Sequence, residues 1–161
     1  MTPEEKKIQK IINKLMAEEF VAYMLYMGAI SATDQSSVFF KLFTELAKDE
    51  LDDHYQKLKE FAKINEFCIP FKFRDCFKHA EASVKQLENL KCGQDASYYI
   101  NEAIKAEQDA IKSYEEAFQC ECIPYELSVI LTQNYYDECQ HLEDLSILKY
   151  AFEAGATLCN Y

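Results

Sequence analysis

Glycine and proline are scarce in this chain, with three of each in 161 residues. So little punctuation leaves room mainly for long elements. Strict alternation of apolar and polar residues is missing as well, and with it the signature of half-buried strands. Although 49% of the residues are apolar, no run approaches the roughly 18 that a membrane span needs. The amino-terminal "MTPEEKKIQK" is charged and lacks the apolar core of a secretory leader. Lysine- and arginine-rich tails are also missing, and the net charge is −11. No strong nucleic-acid binding through a basic face is therefore expected. These absences describe a soluble, cytoplasmic, all-α protein without membrane partners. The length suits a single domain over residues 1–161 with its own core.

What is present is alanine, leucine, glutamate and lysine in helical order. The first segment opens with "TPEE": Thr2 as N-cap, Pro3 at the first helical position and Glu5 closing a capping box. It runs to about Gly28 or Ser31. The second follows "SATDQSS" and extends from about Ser36 to Ile64, roughly 40 Å at 1.5 Å per residue. The third runs from about Asp95 to Phe118, and the fourth opens at Pro124 and stops near Gly155, a plausible C′ residue. Short connections make the first and last pairs antiparallel hairpins. Roughly thirty residues join the hairpins, and a structureless loop of that length is unusual. A short helix is expected there over "HAEASVKQLENL", with His79 at the surface. Two hairpins and one long crossover make a four-helix bundle.

Seven cysteines is an odd number, so full internal pairing is impossible. In a cytosolic setting they read as thiols or a redox pair rather than a disulfide framework. Cys120 and Cys122 form a "CEC" spacing at a helix end. Small buried or incidental side chains and a metal or redox role are both open for them.

The chemistry sits on the faces the helices should bury. In the fourth segment Ile130, Asn134, Glu138, His141, Leu145 and Leu148 recur three or four apart and share one face. In the third, Glu107 interrupts a stripe of Ala96, Ile100, Ala103, Ile104, Ile111, Tyr114 and Phe118, while Glu102 points away. In the first, Glu19 lies among Ile8, Ile12, Leu15, Ala22 and Tyr26, with Glu18 at the margin. In the second, Glu50 and His54 lie among Phe43, Ala47, Leu58 and Phe61, flanked by Leu46 and Leu51. Asp53 falls toward the stripe's edge and is the substitute for His54 or Glu50. Both hairpins carry the same echo: Glu19 to Glu50 and Glu107 to Glu138 each span thirty-one positions.

Four carboxylates and two imidazoles thus aim at one level of a bundle. A buried ionised carboxylate needs a partner or a proton, and no lysine or arginine lies on these stripes to supply one. Two divalent cations would neutralise four glutamates, with histidine adding neutral nitrogen donors. Oxygen and imidazole donors without thiolate suit iron or manganese better than a closed zinc site. One glutamate from each of two helices plus a Glu/His pair from each of the others is the di-metal pattern of such bundles.

On these residues the chain resembles a known family. "LMAEEFVAYMLY", "AIKAEQDAIKSYEEA" and "DECQHLEDL" are similar to the iron-binding helices of bacterioferritins and related ferritin-like proteins. The resemblance implies an all-α, ferritin-like four-helix bundle. By matching motif, Glu19 and Glu107 are terminal ligands, Glu138 is a bridging carboxylate and His141 a terminal ligand. The second helix departs from the family's Glu-x-x-His, because Leu51 stands three residues before His54. Glu50 then bridges through a four-residue spacing. Few residues follow the fourth segment, so a fifth helix has no room, and the expected crossover helix resembles the Dps-like mini-ferritins. That implies a hollow cage of identical chains, a 12-mer rather than a 24-mer. No methionine near His54 matches a haem ligand, so no haem is expected.

The activity implied is ferroxidase: two iron ions (manganese possible) oxidised by dioxygen or hydrogen peroxide, with storage that protects against oxidative stress. Tyr26 and Tyr114 each stand seven residues after a ligand glutamate. They are expected beside the metals, to hydrogen-bond a ligand carboxylate or give up an electron; the alternative is a core tyrosine with a satisfied hydroxyl. The rival function is a di-iron or di-manganese oxidoreductase acting on peroxide or an organic substrate, and a metal-free helical interaction module is a third. Met16, Phe20, Met24 and Met27 form a second apolar stripe on the first helix, expected to face a neighbouring subunit.

Overall fold

A computed structural model describes residues 1–69 and 94–154. The elements are α1 (Pro3–Ser31), α2 (Val38–Lys48), a π-helical turn (Asp49–His54), α3 (Tyr55–Ile64), α4 (Ala96–Phe118) and α5 (Tyr125–Glu153). Among the described residues there is no strand. The expected crossover helix, His79 and Gly155 lie outside the described residues.

Local chemistry sets the helix ends. The Thr2 hydroxyl accepts from the Glu5 N–H at 3.1 Å, and the Glu5 carboxylate accepts from the Thr2 N–H at 2.6 Å. This is the capping box expected from "TPEE". Ser37 and Asp95 cap α2 and α4 in the same manner, accepting from Phe39 and Tyr98. Pro124 is the extended residue before α5. Past α3, Glu66 turns left-handed (φ 56), and the Phe67 N–H reaches back to the Ala62 carbonyl at 2.8 Å. That motif satisfies the last carbonyls of the helix and returns the Phe67 ring onto Phe61, with centroids 6.3 Å apart.

The helices bury their apolar stripes in two clusters. One gathers Val21, Leu25, Phe43, Leu46, Ile100, Ala103, Leu145 and Leu148. The other gathers Ile8, Ile12, Leu15, Leu58, Phe61, Tyr114, Leu127 and Leu131. Residue order within the clusters gives the directions. Helix α1 climbs from the second cluster to the first, α2 and α3 descend, α4 descends and α5 climbs. Each hairpin is antiparallel, and α1 also lies antiparallel to α4.

Some stripe positions differ from the sequence reading. The buried face of α5 passes through Leu127 and Leu131, and Ile130 is only half-buried. In α4, Phe118 is 41% exposed, whereas Ala106, Ala110, Ser113 and Ala117 are buried. These small side chains face the close contact with α1. Met16 belongs to the core and is fully buried; Met24 and Met27 are exposed and Phe20 half-buried. The stripe expected to face away from the core is thus three residues rather than four. A short helix pair that packs through alanines brings the next turn of α1 inside.

Candidate metal centre

A polar layer separates the two apolar clusters. Glu19, Glu50, His54, Glu107, Glu138 and His141 all lie in it, each at most 4% exposed. In each helix they fall between the residues of one cluster and those of the other, so packing on both sides fixes their level.

The second helix reaches this layer through its π turn. The Tyr55 N–H donates to the Glu50 carbonyl, five residues back, so the turn holds one residue more than an α turn. On a plain α-helix, residues four apart are displaced by about 40°. The extra residue lets Glu50 and His54 face inward together, as Glu138 and His141 do on regular α5. The sequence carried a signal for this: Asp49–His54 ("DELDDH") is one residue longer than Asp137–His141 ("DECQH"). A repeat with one inserted residue predicts a bulge when both ends must keep their faces.

Two groups of donors result. Glu19, Glu50, His54 and Glu138 form one; Glu50, Glu107, Glu138 and His141 form the other. Within each, the ligand atoms lie within 4.8 Å of one another. Glu50 and Glu138 belong to both. His54 Nδ1 stands 2.9 Å from Glu138 Oε1 and 3.2 Å from Glu19 Oε2. His141 Nδ1 stands 3.1 Å from Glu50 Oε1 and 4.0 Å from Glu107 Oε2. The two rings stack with centroids 5.6 Å apart.

Asp137 and Asp49 were not assigned roles from the sequence. His54 Nε2 lies 3.4 Å from Asp137 and His141 Nε2 lies 3.5 Å from Asp49. Each aspartate directly precedes a shared glutamate and lies beside the histidine of the opposite hairpin, whose Nδ1 faces the buried glutamates. The Tyr26 hydroxyl donates to Glu107, and the Tyr114 hydroxyl donates to Glu19. Tyr114 also accepts from Asn134 Nδ2 at 3.0 Å. Each tyrosine therefore holds the glutamate of the other hairpin, a crossing that helical spacing cannot reveal. Asp53 is outside both buried groups. It is half-buried, bonded to Lys57 at 2.5 Å, and part of an outer group with His54 and Asp137. Glu18 is buried beside α4, accepting from the Ser113 hydroxyl at 2.8 Å. Burial pushes its carboxyl up to about 8.

Electrostatics opposes ionisation of two of the four glutamates. Burial first, and then Glu19 and Glu107, push Glu50 well above the carboxylate range. Burial, Glu107 and Glu19 do the same to Glu138. Burial also works against an ionised Glu19, but His54 beside it prevails and holds Glu19 at about 2. His54 shows the reverse balance: burial lowers it and Glu19 raises it above the ordinary value. Protonation is thus favoured at Glu50, Glu138 and His54. Satisfaction remains incomplete: Glu50, Glu107 and Glu138 each keep one buried oxygen without a hydrogen bond. His54 Nε2, although near Asp137, also lies outside hydrogen-bond geometry. Such orphaned polar atoms, converging from three helices, suit a cation.

A solved structure with this arrangement of helices is that of the bacterioferritin-related protein from Bacteroides fragilis, described as a dodecameric thioferritin in the bacterial domain. It matches with a TM-score of 0.75 at 20% identity, over 96% of this chain and 92% of that one. The fold is ferritin-like. No family model and no curated protein matches the chain. No helix among the described residues is long and apolar enough to cross a membrane.

Proposed function

We propose that this protein binds two Fe(II) ions in its buried layer, oxidises them with dioxygen or hydrogen peroxide, and stores the ferric product inside a cage of identical chains. The observation that carries the reading is the pair of donor groups sharing Glu50 and Glu138. Glu19 and His54 would hold one ion, Glu107 and His141 the other, and the shared carboxylates would lie between them. Manganese fits the same donors. Iron is substrate and cargo here, and two Fe(II) ions supply two electrons to the oxidant.

The chain's own residues bind, orient and exchange protons. Four carboxylates balance two dications, so binding displaces the protons favoured in the layer otherwise, and affinity rises with pH. Tyr26 and Tyr114 fix Glu107 and Glu19 through one oxygen each, while Asp49 and Asp137 lie beside the imidazoles. An acidic groove of about 190 Å³, lined in part by Glu45, Asp49, Asp137 and Asp144, opens on His141 and offers cations an approach from the surface. Its size weighs against a rival oxidoreductase acting on an organic substrate, since such substrates favour pockets of about 300–1,000 Å³.

The cage is supported by the dodecameric assembly of the similar fold and by exposed Met24 and Met27 on α1. A 12-mer is the favoured state. Sequestering Fe(II) and consuming its oxidant together would protect a cytoplasm from oxidative damage. The test adds Fe(II) aerobically to metal-free protein while ferric absorbance and assembly mass are followed. Oxidation faster than in buffer, by an assembly of many chains, is the expected result. A monomer that leaves the buffer rate unchanged refutes the proposal.

A further inference from the structure

The two hairpins repeat one another around the polar layer. The offset that takes Glu19 to Glu107, Tyr26 to Tyr114 and Glu50 to Glu138 also takes Leu46 to Asn134. Both stand one helical turn before a shared glutamate, and both are buried, Leu46 at 2% and Asn134 at 0% exposure. Their chemistry differs. Leu46 packs with Tyr26 in the first apolar cluster and has no polar atom to offer the hydroxyl. Asn134 Nδ2 donates to the Tyr114 oxygen at 3.0 Å, and the Tyr114 hydroxyl in turn donates to Glu19.

Packing does not explain the amide. Its Oδ1 is buried without a hydrogen bond, and an unmade bond of that kind costs stability that a leucine does not lose. Leu46 shows that the fold accepts an apolar side chain at the equivalent place. What the amide adds is control of one hydroxyl. With Nδ2 fixed on one side of the phenol oxygen, the phenol's own proton is turned to Glu19. Hydrogen bonds in such a chain polarise and strengthen one another. The Tyr26 hydroxyl also donates to its glutamate, Glu107, but Leu46 cannot hold it from behind.

The two glutamates differ accordingly. Both oxygens of Glu19 are engaged, Oε1 by Tyr114 and Oε2 by His54 Nδ1 at 3.2 Å. Glu107 accepts from Tyr26 at Oε1, whereas its Oε2 has no hydrogen bond and lies 4.0 Å from His141 Nδ1. A ligand already held in place gives up less freedom when a cation binds. We infer that Asn134 is a positioning residue: acting through Tyr114 it fixes Glu19, and it makes the Glu19/His54 position the tighter of the two cation positions. The role rests on the di-metal reading of the layer, whose own failure has a separate signature.

Metal-free full-length protein is titrated with Mn(II) at one pH, and the free ion is counted by its electron paramagnetic resonance signal. The parent should take up two ions per chain, the first more tightly than the second. Groups that orient a metal ligand are worth about 10–100-fold in affinity. Asn134 stands one bond further out, so Asn134→Leu should weaken the first step by about tenfold and the second by less than about twofold. Asn134→Ala, which cannot crowd the core, should do the same. In a Tyr114→Phe background the link to Glu19 is already cut, and there Asn134→Leu should change neither step by more than about twofold. The role is overturned if both Asn134 variants keep the parent's first step, or if the tenfold loss persists without the Tyr114 hydroxyl. Either result, with two Mn(II) still bound, leaves the di-metal reading standing. A parent that takes up no Mn(II) overturns both.

Discussion

Glutamine at position 138 probes the buried layer most sharply. Glu138→Gln keeps the side-chain shape and removes the charge. In the metal-free protein that change should cost little. Burial and the neighbouring glutamates push Glu138 well above the usual range, so its neutral, protonated form is favoured. With cations bound the same change is severe, because Glu138 belongs to both donor groups. Three carboxylates against two dications leave one positive charge uncompensated in a layer at most 4% exposed. An unpaired charge in such surroundings costs several kcal/mol. Even about 3 kcal/mol is roughly a hundredfold in affinity.

Thermal melting with Mn(II) at one fixed protein concentration reads the difference. At a hundred times its own dissociation constant the parent gains about 2.7 kcal/mol. For a chain of this size each kcal/mol raises Tm by about 2–4 °C, so the gain is roughly 5–10 °C. The variant at the same concentration stands near its own dissociation constant and gains about 0.4 kcal/mol, less than about 2 °C. Equal gains in the two proteins would refute the shared-carboxylate assignment. A metal-free variant melting about 10 °C lower would refute the protonated state of Glu138.

Three other perturbations follow from particular contacts. Deleting exposed Asp52 leaves Asp49-Glu50-Leu51-Asp53-His54, the spacing of Asp137–His141; the π turn should relax to α-helix and the Mn(II)-induced gain in Tm should persist, whereas its loss would show that the site depends on the bulge itself. A Cβ at Gly28 would stand 2.5 Å from Cε1 of nearly buried Tyr99, so Gly28→Ala should lower stability by about 1–2 kcal/mol once the small helix-propensity gain is subtracted; an unchanged melting temperature in calorimetry would contradict that packing. Glu18 rises from 4.5 to about 8 on folding, so the folded chain keeps a proton that the unfolded chain releases, and stability falls as pH rises through that window. Glu18→Gln cannot ionise; it should match the parent near pH 4.5 and exceed it by a few kcal/mol near pH 8, and urea melts giving the same difference at both pH values would contradict it.

Much of this protein was legible from residues alone, for reasons that are local. Capping chemistry needs only neighbours in sequence, so Thr2, Pro3 and Glu5 marked the start of α1 as the structure has it. Helical periodicity needs only one element at a time. It was enough to place Glu19, Glu107, Glu138 and His141 on faces that the structure buries. Charge made the next step, since carboxylates inside a core without basic partners call for protons or cations. The periodicity of a regular helix was also the limit. Neither Ile130 nor Ile111 is fully buried, whereas Leu127, Leu131, Ala106 and Ala110 are.

Tertiary structure decided what depends on two hairpins meeting. Only their packing shows that Tyr26 holds Glu107, Tyr114 holds Glu19, and each aspartate faces the histidine across from it. It also decided how "DELDDH" accommodates its extra residue: both ends of the second helix are anchored in apolar clusters, so the surplus is absorbed as a π turn. The sequence by itself determined which groups had to be hidden together. The fold determined which of them meet a hydroxyl, a ring or another carboxylate, because those relations exist only between helices.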